Sequence, residues 1–434
     1  MRGYSTEQLS FGEGFLDPSL FELDEELSKI DTLLKNDEML RPFYSDFDEY
    51  MGRPGTPADV YLRMLFLKFR YGLSYEEVEQ EVRERIPWRR FCHLNLMDKV
   101  PDSTTLIKLN QRFGEELVEN LNKTLVRHLV KSKAIRPRKI RIDSTTIETK
   151  IDYPNDVKLL HGMIKTITRT VKSAGGRITN HVRAAKRVLA NIGRSLKAKG
   201  NKRSDLFRHN LRKVTRLAKD TVFQSHKILE RMSGRARKRI RRQLEIADCI
   251  MKQNQQKLTR PGLRIPNRIV SFYDPDVRPI RKGKLDKPTE FGRTMQLVQD
   301  SSGVIVDYKL QHGNPPDKTQ LLSTVKRTEK ATGYGVVSIA TDKGYYSAEN
   351  VQRLKEAGIR HISIPKIGRL TPCERRKQKS AWFKSLQRFR CGIEASISML
   401  KRIFSLGKVP CFGNAATSIW VGFSIFSFNL WRLT

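Results

Sequence analysis

Three carboxylates stand at positions where the folded chain could bring them together. Asp143 lies in the middle of the β-branched run 139–148, a pattern typical of a buried strand. Asp342 directly follows the apolar run 336–341, which predicts a second strand, and Glu394 lies in a helical stretch. Carboxylate oxygens are the ligands that hard divalent cations prefer. The sequence therefore predicts a metal site made by two strand aspartates and one helix glutamate, although Asp143 alone could equally be a strand-end cap.

Two basic residues share the helix of Glu394. Arg390 lies four residues before it and Lys401 seven residues after it, so the three side chains project from nearly one face of an α-helix. Two Mg²⁺ ions about 3.5–4 Å apart can activate a water or a 3′-hydroxyl and stabilise the leaving oxygen during displacement at phosphorus. We expect Arg390 and Lys401 to hold phosphates beside such a site. The predicted chemistry is phosphoryl transfer.

The order of the predicted elements indicates the fold. The strand of Asp143 is followed by a long helical segment, a hairpin of two strands, a helix, the strand before Asp342, a helix, a fifth strand and the helix of Glu394. This is the order of a ribonuclease-H-like α/β core, a mixed five-stranded sheet with helices. After the helical segment we predict strands 291–299 and 304–311, a helix over 318–330 capped by Asp317, a strand 335–341, a helix ending at Ala357 and a strand 360–364.

Composition and charge favour a polyanionic partner. The 434 residues include 83 Lys and Arg against 46 Asp and Glu, a formal net charge of +37, which is far more than solubility requires. Five cysteines form no C-x-x-C pair, which argues for reduced thiols in a cytosol and against a zinc site. No secretory signal is visible at the N-terminus. Charge alone does not separate DNA from RNA.

The N-terminal part of the sequence has helical periodicity. Residues 1–50 carry 13 acidic and 4 basic side chains, and their apolar stripe predicts an amphipathic helix that packs on the domain. The alternative is an acidic shield over a basic surface. A helix is predicted over 58–71 and ends at Gly72, and a second helix begins after Ser74 with a capping box.

A third helix is predicted to start near Ser103. It begins with hydroxyl and amide side chains and carries Lys108 and Arg112, a composition that fits a helix reading a DNA groove. These two residues are therefore candidate DNA contacts. A plain helical bundle fits the same pattern.

The segment 161–268 holds most of the excess charge, with 30 Lys or Arg against 5 Asp or Glu. Its apolar residues recur at alternating steps of three and four, the seam of a coiled coil. Turns are predicted between the repeats at Gly175-Gly176, Gly200-Asn201 and Gly234. The pattern predicts long antiparallel helices that grip phosphates or, alternatively, form a structural or dimerising hairpin. The seam consists of Ile164, Ile167, Val171, Val182, Ala185, Leu189, Ile192, Leu196, Ile240, Leu244 and Met251.

These patterns divide the chain into three parts. We predict an all-helical DNA-binding domain at 1–130, a catalytic domain at 136–156 and 266–434, and a basic helical insertion at 157–265. The uncharged segment 415–431 includes four serines or threonines and an asparagine, so it predicts a helix buried against the sheet and not a membrane anchor.

Some residues with suitable chemistry are weaker candidates. Glu148, Asp152 and Asp156 follow the first predicted strand and could be auxiliary ligands. His312 and His361 lie on strand runs and are expected to be structural, because metal-assisted phosphoryl transfer needs no histidine base.

The three acidic motifs together resemble those of bacterial insertion-sequence transposases of the DDE type. Asp143 stands in Ile-Asp-Ser-Thr, and Asp342 stands in Thr-Asp-Lys-Gly-Tyr-Tyr. The third motif is the most specific. Many of these enzymes carry Tyr-x2-Arg-x3-Glu-x6-Lys on the last catalytic helix, and this sequence matches it at Arg390, Glu394 and Lys401.

The resemblance covers most of the chain except the acidic start and the basic insertion. The stretch 53–112 is similar to the domain that precedes the catalytic core in these transposases. Gln387 stands at the position of the motif tyrosine, which puts a tyrosine contact to DNA in doubt and leaves the metal site unaffected.

The resemblance implies a DNA transposase that cleaves element ends and joins them to target DNA. It implies a site of Asp143, Asp342 and Glu394 with two Mg²⁺ ions, for which Mn²⁺ can substitute. It also implies a homo-oligomer on double-stranded DNA in the bacterial cytoplasm, at the nucleoid, with no membrane partner. Two alternatives stay open: a catalytically inactive, transposase-derived DNA-binding protein, and a nuclease of ribonuclease-H-like fold.

Overall fold

Two separately packed units make up the chain in its computed structural model. The main unit combines residues 1–148 with 294–434, and the insertion unit comprises 149–293. The structure describes residues 8, 10–44, 55–151, 156–195, 201–260, 263, 265–281, 289–366 and 368–434.

Six α-helices precede the first strand in the described residues of the main unit. Helix α3 covers the predicted range and ends at Gly72, whose φ of 70° suits glycine. Helix α4 starts with the predicted capping box of Ser74 and Glu77. Helix α6 runs far beyond the predicted recognition segment and contains one non-helical residue, Gly114. The helices are α1 (Glu25–Leu34), α2 (Asp37–Tyr44), α3 (Ala58–Tyr71), α4 (Tyr75–Glu84), α5 (Ile86–Phe91) and α6 (Ser103–Lys131).

The acidic helix α1 packs on the main unit. Its residues Leu27, Ile30 and Leu34 are buried in the largest apolar cluster of the main unit. Two of its acids form ion pairs with basic residues of α3, Glu26 with Arg70 at 2.7 Å and Asp31 with Arg63 at 2.6 Å. The predicted amphipathic helix is therefore confirmed.

A mixed sheet forms the centre of the main unit. Strand β3 lies beside β1, β1 pairs in parallel with β5, and β5 pairs in parallel with β6. Strand β4 is antiparallel to β3, and β7 pairs with β1. The sequence predicted five of these strands and missed β2 and β7, which are too short to show an alternating pattern. The strands are β1 (Lys139–Thr149), β2 (Arg278–Arg281), β3 (Thr289–Gln299), β4 (Ile305–Leu310), β5 (Ser338–Thr341), β6 (His361–Ser363) and β7 (Lys408–Val409).

Helices that follow the hairpin cover this sheet. The segment that was expected to be a buried helix, 415–431, lies within one, and its residues from Val421 to Leu430 are all buried. No helix in the described part of the chain is long and apolar enough to cross a membrane. In chain order within the main unit, the next helices are α11 (Asp317–Thr332), α12 (Ala348–Glu356), α13 (Pro372–Lys379), α14 (Ala381–Arg402) and α15 (Asn414–Arg432).

The insertion unit has an apolar cluster of its own. The predicted seam residues Ile164, Ile167 and Ile240 are fully buried in it, which confirms the coiled-coil-like pattern. Gly175 and Gly234 have φ of 78° and 61°, as expected for turns, while Leu196 and Gly200 lie outside the described residues. The unit contains α7 (Asp156–Ser173), α8 (Val182–Ser195), α9 (Asn201–Leu229) and α10 (Gly234–Thr259), and within it β2 pairs antiparallel with the first residues of β3.

Candidate active site

The parallel pairing of β1 and β5 places two of the three acids next to each other. Ile142 on β1 stands opposite Thr341, the last residue of β5, and the next residues in the chain are Asp143, still within β1, and Asp342, just past β5. The carboxylate of Asp342 accepts a hydrogen bond from the backbone N–H of Lys343 at 2.6 Å, which starts a short 3-10 helix. Asp143 in the middle of β1 and Asp342 at the carboxyl end of β5 are therefore neighbours, close enough for each charge to act on the other.

Helix α14 brings the third acid near Asp143 through Arg390. The Nη1 of Arg390 lies 3.3 Å from an oxygen of Asp143, and its Nη2 lies 2.5 Å from an oxygen of Glu394. The side chains of Asp143 and Arg390 are 17% and 14% exposed, whereas Glu394 is 60% exposed. One guanidinium thus joins the strand acid to the helix acid, and it lies where a cation between them would lie.

The surroundings of Asp143 disfavour the charged form of its carboxyl group. Burial raises the pKa of its carboxyl to about 6, against the opposing effects of the Ser144 backbone N–H and of Arg390. The negative charges of Asp342 and Asp317 raise it further. A buried carboxylate with two acidic neighbours and one basic neighbour gains from any additional positive charge.

Asp317 is an acid of this site that the sequence did not reveal. It was expected to cap the helix after the hairpin, but the helix N-cap is Pro316 and no side chain caps it. Asp317 instead accepts a hydrogen bond from the Ser144 hydroxyl at 3.1 Å. The predicted cap is therefore wrong. No local pattern could show that the start of α11 lies beside β1.

The carboxylates suit a hard divalent cation in kind but are not assembled around one. No three His, Cys, Asp or Glu side chains of the described residues form a ready metal cluster. At this site Arg390 stands between Asp143 and Glu394 and forms an ion pair with each of them. Carboxylate oxygens are the kind of donor that Mg²⁺ and Mn²⁺ bind.

Gln387, at the position of the motif tyrosine, anchors helix α14 to the sheet. Its Nε2 donates to the backbone oxygen and the hydroxyl of Ser363, both at 2.9 Å, and more weakly to the backbone oxygen of Thr341 at 3.4 Å. These are the last residues of β6 and β5. Gln387 therefore fixes the helix against the strand end that carries Asp342.

The other predicted DNA contacts lie apart from the acids along the chain. Lys401 is half-buried in the last turn of α14. Lys108 and Arg112 are exposed on α6, while Leu109 and Phe113 of the same helix are buried. Their exposure is compatible with a DNA-facing side of α6.

The weaker candidates have partners of a structural kind. Asp156, in the insertion unit, forms ion pairs with Lys257 at 2.7 Å and Arg268 at 2.5 Å. Asp152 lies outside the described residues. His361 lies near the Ser338 hydroxyl at 3.3 Å.

Comparisons with known proteins match two parts of the chain. The family described as "Transposase domain (DUF772)" matches residues 18–112, and the family described as "Transposase DDE domain" matches residues 275–430. The second range contains Asp342 and Glu394, whereas Asp143 precedes it on the other side of the insertion.

A curated relative is "Uncharacterized protein ORF8 in nfe locus" of Rhizobium meliloti. It is 26% identical over 150 residues, which cover 33% of this chain and 72% of the relative. No solved structure matches the chain significantly.

Proposed function

The chain belongs to the DDE transposases of insertion sequences, and from this we propose that it binds the ends of its element, cleaves the DNA there and joins the freed ends to target DNA. The observation that carries the proposal is the Arg390 bridge, which joins Asp143 to Glu394 beside Asp342. Asp143 and Glu394, which lie far apart in the sequence, contact the same guanidinium, and carboxylates are what metal-assisted phosphoryl transfer requires.

We propose a ribonuclease-H-like catalytic core at 136–156 and 266–434. The neighbour relations β4-β3-β1-β5-β6, with β4 antiparallel to β3 and both β5 and β6 parallel to their neighbours, support this fold. The all-helical part at 1–130 is the proposed DNA-binding domain, in which Lys108 and Arg112 contact DNA. The proposed phosphate-gripping insertion covers 157–265.

Asp143, Asp342 and Glu394 are the residues that would hold the metal, which we propose to be two Mg²⁺ ions, with Mn²⁺ able to substitute. Bound there, the ions supply an activated water or 3′-hydroxyl and neutralise the leaving oxygen. Arg390 neutralises Asp143 and Glu394 until the site is loaded and then, with Lys401, grips the phosphates that flank the cut. We propose that the protein acts as a homo-oligomer on double-stranded DNA, in the bacterial cytoplasm at the nucleoid.

The test measures cleavage of cognate element ends and DNA binding in parallel. We expect Asp143→Asn, Asp342→Asn and Glu394→Gln each to lower cleavage by more than about 10³-fold, because each would remove a metal ligand, while DNA binding persists. Glu349→Gln is the matched control, since Glu349 is an exposed acid that pairs with Arg353 on α12. A variant of the three acids that binds DNA and still cuts it would overturn the assignment.

The same assay separates a joining enzyme from a simple nuclease. A transposase must hold a cleaved end while target DNA arrives, so we expect Arg390→Ala and Lys401→Ala to lose more strand transfer than first-strand cleavage. Arg402→Ala is the control, because Arg402 is an exposed cation in the same last turn as Lys401. Parental joining by both variants would remove the proposed role of these two residues, and cleavage without any joining by the parent would identify a nuclease.

A further inference from the structure

Arg141 occupies the position on β1 that faces helix α14 just before the site. It lies two residues before Asp143 and therefore on the same face of the strand. Its side chain is buried, with the residue only 9% exposed. Its Nη1 donates to the backbone oxygen of Phe389 at 2.6 Å, and its Nε donates to the side-chain oxygen of Gln299 at 2.9 Å. Arg141 thus joins β1 to β3 and to α14.

The two groups that accept hydrogen bonds from Arg141 are neutral, and the Asp300 carboxylate acts on its charge from further away. Besides the two oxygens, the guanidinium lies 4.7 Å from the centre of the Phe389 ring. Burial lowers the pKa of the Arg141 guanidinium, and the negative charge of Asp300 offsets this only in part. The hydrogen bond to the backbone of α14 is the feature that arginine supplies at this position.

Gly392 provides the space for that contact. A Cβ atom added to Gly392 would lie 2.1 Å from Nη1 of Arg141 and 3.0 Å from its Cζ. Glycine inside a helix costs about 1 kcal/mol relative to alanine. Glycine nevertheless occupies this position of α14, two residues before Glu394, where a larger residue would meet Arg141. Arg141 and Gly392 together therefore set the distance between the helix and the strand.

A second contact secures the helix beyond Glu394. The Nε2 of Gln299, whose oxygen binds Arg141, donates to the hydroxyl of Ser396 at 2.8 Å. Together with the Gln387 contacts, α14 is held to the sheet on both sides of Arg390 and Glu394. The two functional side chains stand on the part of the helix between these anchors.

We infer that Arg141 is a positioning residue, which holds α14 at the distance from β1 at which Glu394 and Asp143 can share a metal ion. The inference rests on the proposed function, because it assigns Arg141 to the proposed metal site. In this inference Arg141 contacts neither substrate nor metal. Its effect passes through the backbone oxygen of Phe389 on α14, to which Arg141 donates a hydrogen bond. Supports of this kind typically change metal affinity or activity by about 10- to 100-fold when they are removed.

The first experiment titrates the protein with Mn²⁺ alone, without DNA, and follows the free ion by electron paramagnetic resonance. We expect Arg141→Ala to weaken Mn²⁺ binding by about tenfold or more. Arg136→Ala is the matched control, since Arg136 is exposed in the segment before β1. Thermal melting checks that each variant is folded, and Arg141→Lys takes the place of Arg141→Ala if the alanine variant does not fold. Folded Arg141 variants with parental Mn²⁺ affinity would overturn the inference.

The second experiment is a double-mutant cycle. Gly392→Ala alone should weaken Mn²⁺ binding as Arg141→Ala does, because its Cβ displaces the guanidinium. In the Arg141→Ala background the three atoms nearest to the added Cβ are gone, so the same change should cost little more. Additive losses would show that the two residues act separately and would overturn the inference.

The parent and Asp143→Asn separate this inference from the proposed function. Parental Mn²⁺ binding that Asp143→Asn abolishes establishes the metal site, and the Arg141 variants then test positioning alone. Mn²⁺ binding that Asp143→Asn leaves unchanged would contradict the proposed site itself.

Discussion

The buried guanidinium of Arg63 brings three ionisable side chains from different segments into one cluster. Its Nη1 lies 2.6 Å from Asp31 on α1, and its Nε lies 2.7 Å from Asp59 on α3. His93, after α5, completes the cluster at 2.6 Å from Asp59 and 3.2 Å from Asp31. Burial alone would lower the pKa of His93, but hydrogen bonds to the two aspartates outweigh it and raise the pKa. His93 and Arg63 likewise outweigh burial at Asp59, and its pKa is lowered.

These shifts predict a window of pH for the stability of the main unit. A raised histidine pKa contributes stability that is complete below the unfolded pKa of about 6.5 and is lost as the pH rises through the folded pKa. The lowered aspartate pKa contributes stability that is present above about pH 3.9 and is lost as the pH falls through the folded pKa. We expect the melting temperature to decrease as the pH rises above about 6.5.

His93→Asn tests the histidine part of this prediction. Asparagine tolerates the φ of 54° at this position, so the change removes the ionisable group without new backbone strain. We expect a loss of about 2 kcal/mol at pH 6 and a flatter decrease above it, measured by thermal melting from pH 5 to 9. His361→Asn, at an exposed position, should leave the profile unchanged. If the melting temperature of His93→Asn decreased with rising pH as steeply as that of the parent, His93 would not be the group responsible for the decrease.

At the scale of single residues, the sequence predicted the chemistry of a side chain better than it predicted which residues that side chain contacts. The spacing of Arg390, Glu394 and Lys401 was sufficient to predict one helix face. The same spacing could not show that Arg390 binds the acids themselves, because that depends on how α14 crosses β1. Asp317 and Arg141 were missed for the same reason, since their partners are distant in sequence.

Helix α15 approaches its neighbours closely at Gly422. A Cβ atom there would lie 2.5 Å from Cγ1 of Val118 on α6 and 2.9 Å from the Tyr308 hydroxyl on β4. The backbone oxygen of Gly422 accepts a hydrogen bond from Nδ2 of Asn122 at 3.0 Å. The residue is thus the point where the last helix, a long N-terminal helix and the sheet meet.

We expect Gly422→Ala to destabilise the protein by about 1–3 kcal/mol, measured by denaturant unfolding. Helix propensity alone would favour alanine by about 1 kcal/mol, so a net loss means that the clash outweighs it. Gly335→Ala is the control, because no atom lies within 4 Å of the added Cβ and the backbone φ is not in the left-handed region. A Gly422→Ala variant at least as stable as the parent would refute the close approach.

Whole elements were predictable where they are long and patterned. The bounds of α3 and the seams of the insertion helices follow from periodicity and from glycine positions. Strands β2 and β7 have four and two residues and depend on partners elsewhere in the chain. No local pattern of that length distinguishes a strand from a loop.

Charge is distributed unevenly over the molecule, and the insertion unit carries much of the excess. On α9, Arg212, Arg216 and Lys219 are exposed at steps of four and three, so they form one stripe. Phe223, 57% exposed, continues the same face. A stripe of this kind matches a chain of phosphates, which supports the proposed phosphate-gripping role over the dimerising hairpin.

Replacing Arg212, Arg216 and Lys219 by glutamine should weaken binding to all duplexes. If each contacts one phosphate, the slope of log affinity against log salt should decrease by up to about 2.7, at about 0.9 per contact. The control is the triple glutamine variant of the exposed Lys326, Lys330 and Lys355 in the main unit. An unchanged slope together with a changed oligomer size would favour the dimerising hairpin.

The first and last residues of the insertion unit contact each other: Nη1 of Arg293 lies 3.3 Å from the hydroxyl of Thr149. A disordered segment of this length between paired strands would cost on the order of 4 kcal/mol of loop-closure entropy. The insertion unit has its own apolar cluster. Its folding therefore brings the two ends together, and its own packing offsets the entropy cost of closing the loop. The sheet can therefore carry a long insertion between β1 and β3 almost as cheaply as a short turn, and changes in the insertion's length need not reach the acids.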